Sequence, residues 1–243
     1  MKGYDERSYG AFWAADYDQV HGELDPAGAV ETLAELAAGR PVLELAIGTG
    51  RIALPLKERG VEIHGVDISE PMLAELRGKP GGAEIPVTVG NFAEADYGGE
   101  FPLIFLAFNT LFALLSQEEQ VRMFANVARQ LTPDGLFIVE AFVPDLSRYA
   151  RGQSVSVTKI ELDSVQLDFG RHDPVNQIVD VQVATFGERG TTLRPIRLRY
   201  AWPAELDLMA RLAGLRLRER WGGWAREEFQ ADSRQHVSLY GRP

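Results

Sequence analysis

The chain has no cysteine. Disulfides, thiolate metal sites and a cysteine nucleophile are thereby excluded. Histidine is scarce: His21, His64, His172 and His236 are scattered, with no pair at metal-ligand spacing. A resident metal is not expected. Positive charge is also in short supply, with 25 Lys and Arg against 35 Asp and Glu and a net charge of −10. Phosphate-binding surfaces need a basic footprint, so nucleic acid is not an expected partner. The densest basic stretch, 216–220, is interrupted by Leu217 and Glu219 and reads as a solvated strand face. No apolar run is long enough to cross a bilayer; 101–115 is too short and carries Asn109. Residues 1–20 alternate charged and aromatic side chains and lack the apolar core of a signal peptide. No membrane association is expected, and the cytoplasm is the expected compartment.

What is present is an ordinary globular composition, 45% hydrophobic and 25% charged over 243 residues, enough for one domain with a sizeable core. Through residue 142, strand, loop and helix signals alternate. A helix is expected over 27–38, with Asp25 at its N-cap, Pro26 at its first position and Gly39 beyond its end. The apolar run 42–47 reads as the first strand. Gly48-Thr49-Gly50 follows, then a helix to about Arg59, closed by Gly60. A second strand, 62–66, ends at Asp67, and Ser69 can cap a short helix bearing Met72, Leu73 and Leu76. A turn at 78–82 precedes a third strand at 85–89. Residues 101–108 are almost continuously apolar, as in a strand buried on both faces. Ser116 and Glu119 form a capping box before a helix with Val121, Phe124, Val127 and Leu131 on one stripe. Pro133-Asp134-Gly135 reads as a turn before a fifth strand at 136–142. This alternation argues for an α/β fold with a doubly wound, mostly parallel sheet.

The pattern then turns β-rich, with strands expected at 155–157, 165–167, 178–183 and 193–198 and with Gly170, Pro174 and Gly187 as breaks. An antiparallel insertion over the sheet edge is expected, and its exposed strands could pair with a second copy in a homodimer. A helix at 203–212 and strands at 215–221 and 236–240 complete the chain.

The informative stretch is Glu44-Leu45-Ala46-Ile47-Gly48-Thr49-Gly50. It lies at the carboxyl end of the first strand, where doubly wound sheets bind ligands. Glycines there let backbone approach a ligand and turn into a helix whose N–H groups are unpaired. The run from Gly48 to Ala53 also fits a dinucleotide pattern, G-x-G-x-x-A. Glu44 argues against a pyrophosphate, which it would repel, and suits an ammonium group. Asp67, seventeen residues after Gly50, can accept both hydroxyls of a ribose. Asn91 can pair with an adenine amino group while Phe92 packs near the ring.

With these residues in hand, the sequence resembles the class I S-adenosylmethionine-dependent methyltransferases, over about 27–142 and the last two strands. Glu44-x-Ala46-x-Gly48-x-Gly50 is similar to their acidic glycine-rich motif, with Ala46 where many members have Gly. Asp67 matches their ribose-binding acid, Asn91 their Asp or Asn before the fourth strand, and Phe108-Asn109 ends the strand that lines the methionine moiety. Ile68 and Met72 join the set expected around the cofactor. Tyr9, Trp13 and Tyr17 resemble the tyrosine-bearing lid of the small-molecule branch, which includes amino-sugar N-methyltransferases. In some of those amino-sugar enzymes a histidine follows the fourth strand; here that neighbourhood reads Thr110-Leu111-Phe112-Ala113.

The resemblance implies a seven-stranded Rossmann-like sheet, a β-rich insertion between its fifth and sixth strands, and a last strand antiparallel to the rest. It implies a single domain divided as lid 1–24, cofactor-binding core 25–150, insertion 151–200, and last helix and strands 201–243. It also implies S-adenosyl-L-methionine as cofactor and a small-molecule methyl acceptor, attacked at N, O or C. A sulfonium donor is already activated, so a base is needed only where the acceptor must lose a proton. Candidates are Glu140, Tyr149, His172, expected in a turn of the insertion, and His236, with a structural role as the alternative for each. Two other classes stay open: an NAD(P)-dependent oxidoreductase, although 108–149 holds no Lys or His donor, and a noncatalytic cofactor-binding module.

Overall fold

The computed structural model describes residues 1–22, 24–188 and 190–243. Seven helices are assigned among them: α1 Ser8–Trp13, α2 Tyr17–His21, α3 Ala27–Ala37, α4 Ala53–Glu58, α5 Glu70–Gly78, α6 Gln117–Gln130 and α7 Pro203–Leu212. The strands are β1 Val42–Leu45, β2 Ile63–Asp67, β3 Val87–Val89, β4 Phe101–Leu106, β5 Leu131–Phe142, β6 Gln153–Ile160, β7 Ser164–Asp173, β8 Ile178–Gly187, β9 Gly190–Arg199, β10 Arg216–Trp221 and β11 Gln235–Gly241.

One sheet has the order β10-β11-β5-β4-β1-β2-β3. β1 to β5 run parallel and β11 runs antiparallel to β5, as the resemblance implies. Alternate residues of the central strands feed opposite faces. Leu103, Phe105 and Ile138 meet α3, α4 and α5 on one side. Ile104, Leu106, Phe137 and Val139 meet α6 and α7 on the other. Both faces are covered, so the strands are apolar throughout rather than alternating.

Caps fix several element ends. Ser69 accepts from Met72 N at the start of α5, and Ser116 with Glu119 closes a capping box on α6. α3 starts one residue later than expected, with Pro26 rather than Asp25 at its N-cap; Asp25 lies just ahead and accepts from Ala27 N at 2.9 Å. The Pro133-Asp134-Gly135 segment is not a turn ahead of the fifth strand. β5 begins at Leu131, which pairs with Phe101, and the segment lies within the strand beside a shift in register. α4 begins only at Ala53, two turn residues after Gly50.

The insertion is a separate antiparallel sheet, β6-β7-β8-β9. Its strands are longer than their apolar patches suggest, because polar residues continue the ladders. Gly170 is no break: it pairs with Val181 inside β7. His172 is likewise in strand, opposite Val179, not in a turn. Arg199, at the end of β9, anchors the sheet to the core. Its guanidinium donates to Gln120, Gln177 and Glu205, so β9, α6 and α7 share one buried polar node.

No helix among the described residues is long and apolar enough to cross a membrane.

Candidate active site

β1 is paired on both edges, with β2 and β4, which fixes Glu44 at the centre of the sheet. Its side chain is 5% exposed, and its Oε2 has no hydrogen-bond partner. Burial pushes its carboxyl well above the usual range, and the Arg51 guanidinium opposes that rise. Arg51 and the Ala53 backbone favour its ionised form, and the one oxygen left without a donor is where a further hydrogen-bond donor or cation would fit.

After β1 the chain turns through Ala46, Gly48 and Gly50, with φ of 55°, 57° and 82°. Glycine adopts this left-handed region freely; alanine does so at a cost of about 1–2 kcal/mol. Small volume is therefore not all that position 46 requires. The turn brings Gly48 N to Asp67 Oδ2 at 2.8 Å, and Ser69 N reaches Asp67 Oδ1 at 2.8 Å. Burial raises the Asp67 carboxyl above its usual range, and those N–H groups offset part of the rise. A carboxylate has about four acceptor positions, so two donors leave room for two hydroxyls.

At the exit of β4, Phe108 and Asn109 are both left-handed, with φ of 54° and 64°. Neighbouring β5 holds them. Phe108 N donates to Glu140 Oε2 at 2.7 Å, and Asn109 N donates to the Glu140 carbonyl at 3.2 Å. Asn109 Oδ1 accepts from Phe142 N at 2.6 Å. Glu140 is thus a positioning group for this turn.

Tyr17, Glu44, Ala46, Gly48, Arg51 and Phe108 line a cavity of about 40 Å³. The Arg51 guanidinium lies 4.7 Å above the Phe108 ring. An acid and a cation thus share the wall of one small space.

The N-terminal segment lies over this cavity. Tyr9, Trp13, Tyr17 and His21 recur every fourth residue and cluster: Tyr9 and His21 each stack on Trp13, and Tyr17 meets His21 tilted and Tyr9 edge-on. Tyr17 touches the cavity, and Tyr9 backs it with a ring-centroid distance of 6.4 Å. Burial raises both phenols above their ordinary range. Asp18 accepts from Thr49 Oγ1 at 2.7 Å and pairs with Lys79 at 2.5 Å. Gly10 crosses so close to α5 that a Cβ there would overlap Ser69 Oγ. Asp16 pairs with Arg194 of the insertion.

The structure separates the other expected residues. Ile68 follows Asp67, partly exposed. Met72 packs under Trp13 and Ala14 against Val183. Asn91 Nδ2 donates to Glu6 at 2.7 Å while its Oδ1 accepts from Ala93 N. Phe92 is 8% exposed and belongs to the core cluster around Phe124. Glu140 lines a second cavity of about 370 Å³ that shares Arg51, Ile52 and Phe108 with the first. Tyr149 lines a third of about 350 Å³, which shares Phe142 and Arg234 with the second. His172 backs Tyr149, its ring centroid 5.2 Å away, with Nε2 at 3.1 Å from Tyr200 Oη. His236 lines none of these three. It is fully buried, Nδ1 meets Ser238 Oγ at 2.8 Å, and burial lowers its pKa to about 4.

Sequence reasoning missed Arg51, Thr49, Asp18 and His21. The signal for His21 was available: the spacing of four extends the Tyr9-Trp13-Tyr17 series by one turn. Arg51 directly after Gly50 was a second cue, a lone cation next to the acidic motif.

Comparison with known proteins agrees with this geometry. A family model described as a methyltransferase domain matches residues 42–135. A cypemycin N-terminal methyltransferase from a Streptomyces species is 31% identical over 249 residues, covering 98% of this chain and 97% of the relative. The structure of the CcbJ methyltransferase from Streptomyces caelestis superposes with a TM-score of 0.92 at 44% identity, over 98% of this chain and 99% of that one. An amino pentose methyltransferase from Micromonospora echinaspora, solved with S-adenosylmethionine bound, shares the fold with a TM-score of 0.73 at 16% identity, over 96% and 98% of the two chains. With the acidic glycine-rich turn, the sheet order and a full-length relative in agreement, the chain belongs to the class I S-adenosylmethionine-dependent methyltransferases of the small-molecule branch.

Proposed function

We propose that this enzyme methylates an amine nitrogen of a small molecule. The residues around the first cavity fit the cofactor. The unpartnered Glu44 oxygen suits its ammonium, Arg51 suits its carboxylate, and Asp67 suits its ribose. Bound there, S-adenosylmethionine supplies a methyl group already activated on a sulfonium. The chain's own contribution is placement. Residues 1–24 act as the lid, with Tyr17 and Phe108 closing the cavity and excluding water. The β4 exit, held by Glu140 and Asn109, orients the acceptor for in-line attack.

One observation supports nitrogen over a hydroxyl oxygen. Of the carboxylates lining the second cavity, Glu140 commits Oε2 to Phe108 N at 2.7 Å, where it holds the β4 exit, and Asp25 commits Oδ1 to Ala27 N at 2.9 Å, so one oxygen of each already serves the backbone. The phenol of Tyr17 is pushed up by burial, which opposes a phenolate base. An amine in its free-base form offers a lone pair without first losing a proton; a hydroxyl needs a base. The name of the full-length relative, an N-terminal methyltransferase, points the same way. The test is a panel of small molecules in matched amine and hydroxyl pairs, with isotope-labelled cofactor. N-methyl products are expected, with a rate that rises as the acceptor amine loses its own proton. O-methylation of the hydroxyl partners would overturn the proposal.

A further inference from the structure

The third cavity carries chemistry that the methyl-transfer site does not use. Its inner wall is the face of the insertion sheet turned toward the core. Val179, Val181 and Leu198 form an apolar floor, and Tyr149 and Tyr200 form an aromatic side. His172 stands behind both rings, at centroid distances of 5.2 Å and 5.7 Å. Gly170 makes this wall possible, because a Cβ there would meet the Tyr149 ring at 3.0 Å.

Into this setting β7 places one acid, Asp168. Its Oδ1 is buried and has no hydrogen-bond partner. Ser156, directly across the β6–β7 ladder, also holds a buried hydroxyl without a partner. The other ionisable groups of the lining are compensated or wet. Asp145 accepts from Ser147 N at 3.0 Å and Ser147 Oγ at 2.6 Å. Arg148 and Arg234 are solvent-exposed, and Arg148 leans over the Tyr149 ring at 5.8 Å. Only the exposed Arg148 opposes the burial of this acid, which shares the cavity wall with two aromatic rings, and an ammonium is the group that suits such a setting.

We propose that this cavity is a specificity subsite that binds a protonated amine of a ring-bearing small molecule, with Asp168 as its counter-ion. The subsite rests on the small-molecule reading above. The cation it holds is a second group on the acceptor, not the nitrogen that is methylated, because a nitrogen paired as ammonium has no lone pair to give.

The test uses benzylammonium and its neutral isostere benzyl alcohol, titrated calorimetrically into the full chain and into Asp168→Asn. Benzylammonium is expected to bind the native chain more tightly than benzyl alcohol, and Asp168→Asn to weaken it by about tenfold or more. Benzyl alcohol should bind both proteins alike. Titration with S-adenosylhomocysteine checks that the variant is folded. In the native chain, benzylammonium should shift backbone amide resonances around Asp168–Gly170 and Val181, independently of any variant. Equal binding of the two probes, an affinity untouched by Asp168→Asn, or amide shifts confined elsewhere would overturn the proposal. The outcome is separable from the choice of methylated atom: O-methyl products with intact benzylammonium binding would sink only the nitrogen reading.

Discussion

Asp67→Ala tests the site most directly, and the structure changes what it should do. Sequence reasoning assigns Asp67 to a ribose alone, so the substitution would cost only cofactor affinity. In the fold the same carboxylate also ties the glycine turn to α5, with Gly48 N on one oxygen and Ser69 N on the other, both at 2.8 Å. At 6% exposure these donors lose water along with the acid. Each buried bond to a charged acceptor contributes about 1.5–3 kcal/mol, and an orphaned donor costs about 1–3 kcal/mol. Two orphaned donors together cost about 2–6 kcal/mol, and losing a buried acid whose pKa is raised offsets part of that, so removing the carboxylate should destabilise the chain by about 2–5 kcal/mol. For a domain of this size that lowers Tm by roughly 4–20 °C. Affinity for S-adenosylhomocysteine should fall separately, by about 1–3 kcal/mol, or roughly 5- to 150-fold. Urea unfolding without ligand reads the first term, and calorimetry at a temperature where the variant is folded reads the second. A variant as stable as the native chain to within about 0.5 kcal/mol would refute the bridging role, whatever happened to affinity.

Ala46→Gly should stabilise by about 1 kcal/mol, because position 46 has φ of 55°; an unchanged or lower Tm would contradict the strain argument. Glu44→Gln should raise stability above neutral pH while weakening S-adenosylhomocysteine by about 10- to 100-fold. The native Glu44 pKa is raised, so the folded state holds the proton more tightly, and native stability falls as pH climbs from about 4.5 through that raised value. The Gln variant should lose that part of the slope, and parallel urea midpoints for both proteins from pH 4 to 8 would count against it. His236 behaves in the opposite sense. Its pKa falls from 6.5 to about 4, so its contribution is complete above pH 6.5 and disappears as pH drops toward 4, about 3 kcal/mol in all. His236→Asn should flatten that acid limb, and an identical limb would show that His236 does not drive it.

How much of this was legible beforehand varied by residue. The parallel sheet was readable because its strands are buried on both faces, which leaves apolar runs such as 101–108. The capping box at Ser116 and Glu119 was readable because it is local chemistry. The insertion was readable as β-rich but not in its extents. Gly170 and His172 look like turn residues in the chain, yet sit in β7 because cross-strand pairing with β8 overrides local preference. Pro133-Asp134-Gly135 was misplaced for the same reason, since β4 pairs with β5 from Leu131 onward.

The sequence by itself determined the acid and glycines of the first turn, the second acid at Asp67, and the period-four aromatic series beginning at Tyr9. Those are short-range patterns, and short-range patterns record backbone needs directly. Only the tertiary structure decided what those groups face. It left one Glu44 oxygen without a partner, engaged both oxygens of Asp67, turned Glu140 toward the Phe108 amide, and buried His236 away from the cavities. It also set Asp168 in one cavity wall with two tyrosines that follow different strands. Such facts depend on register and on contacts between residues far apart in the chain, which no local pattern encodes.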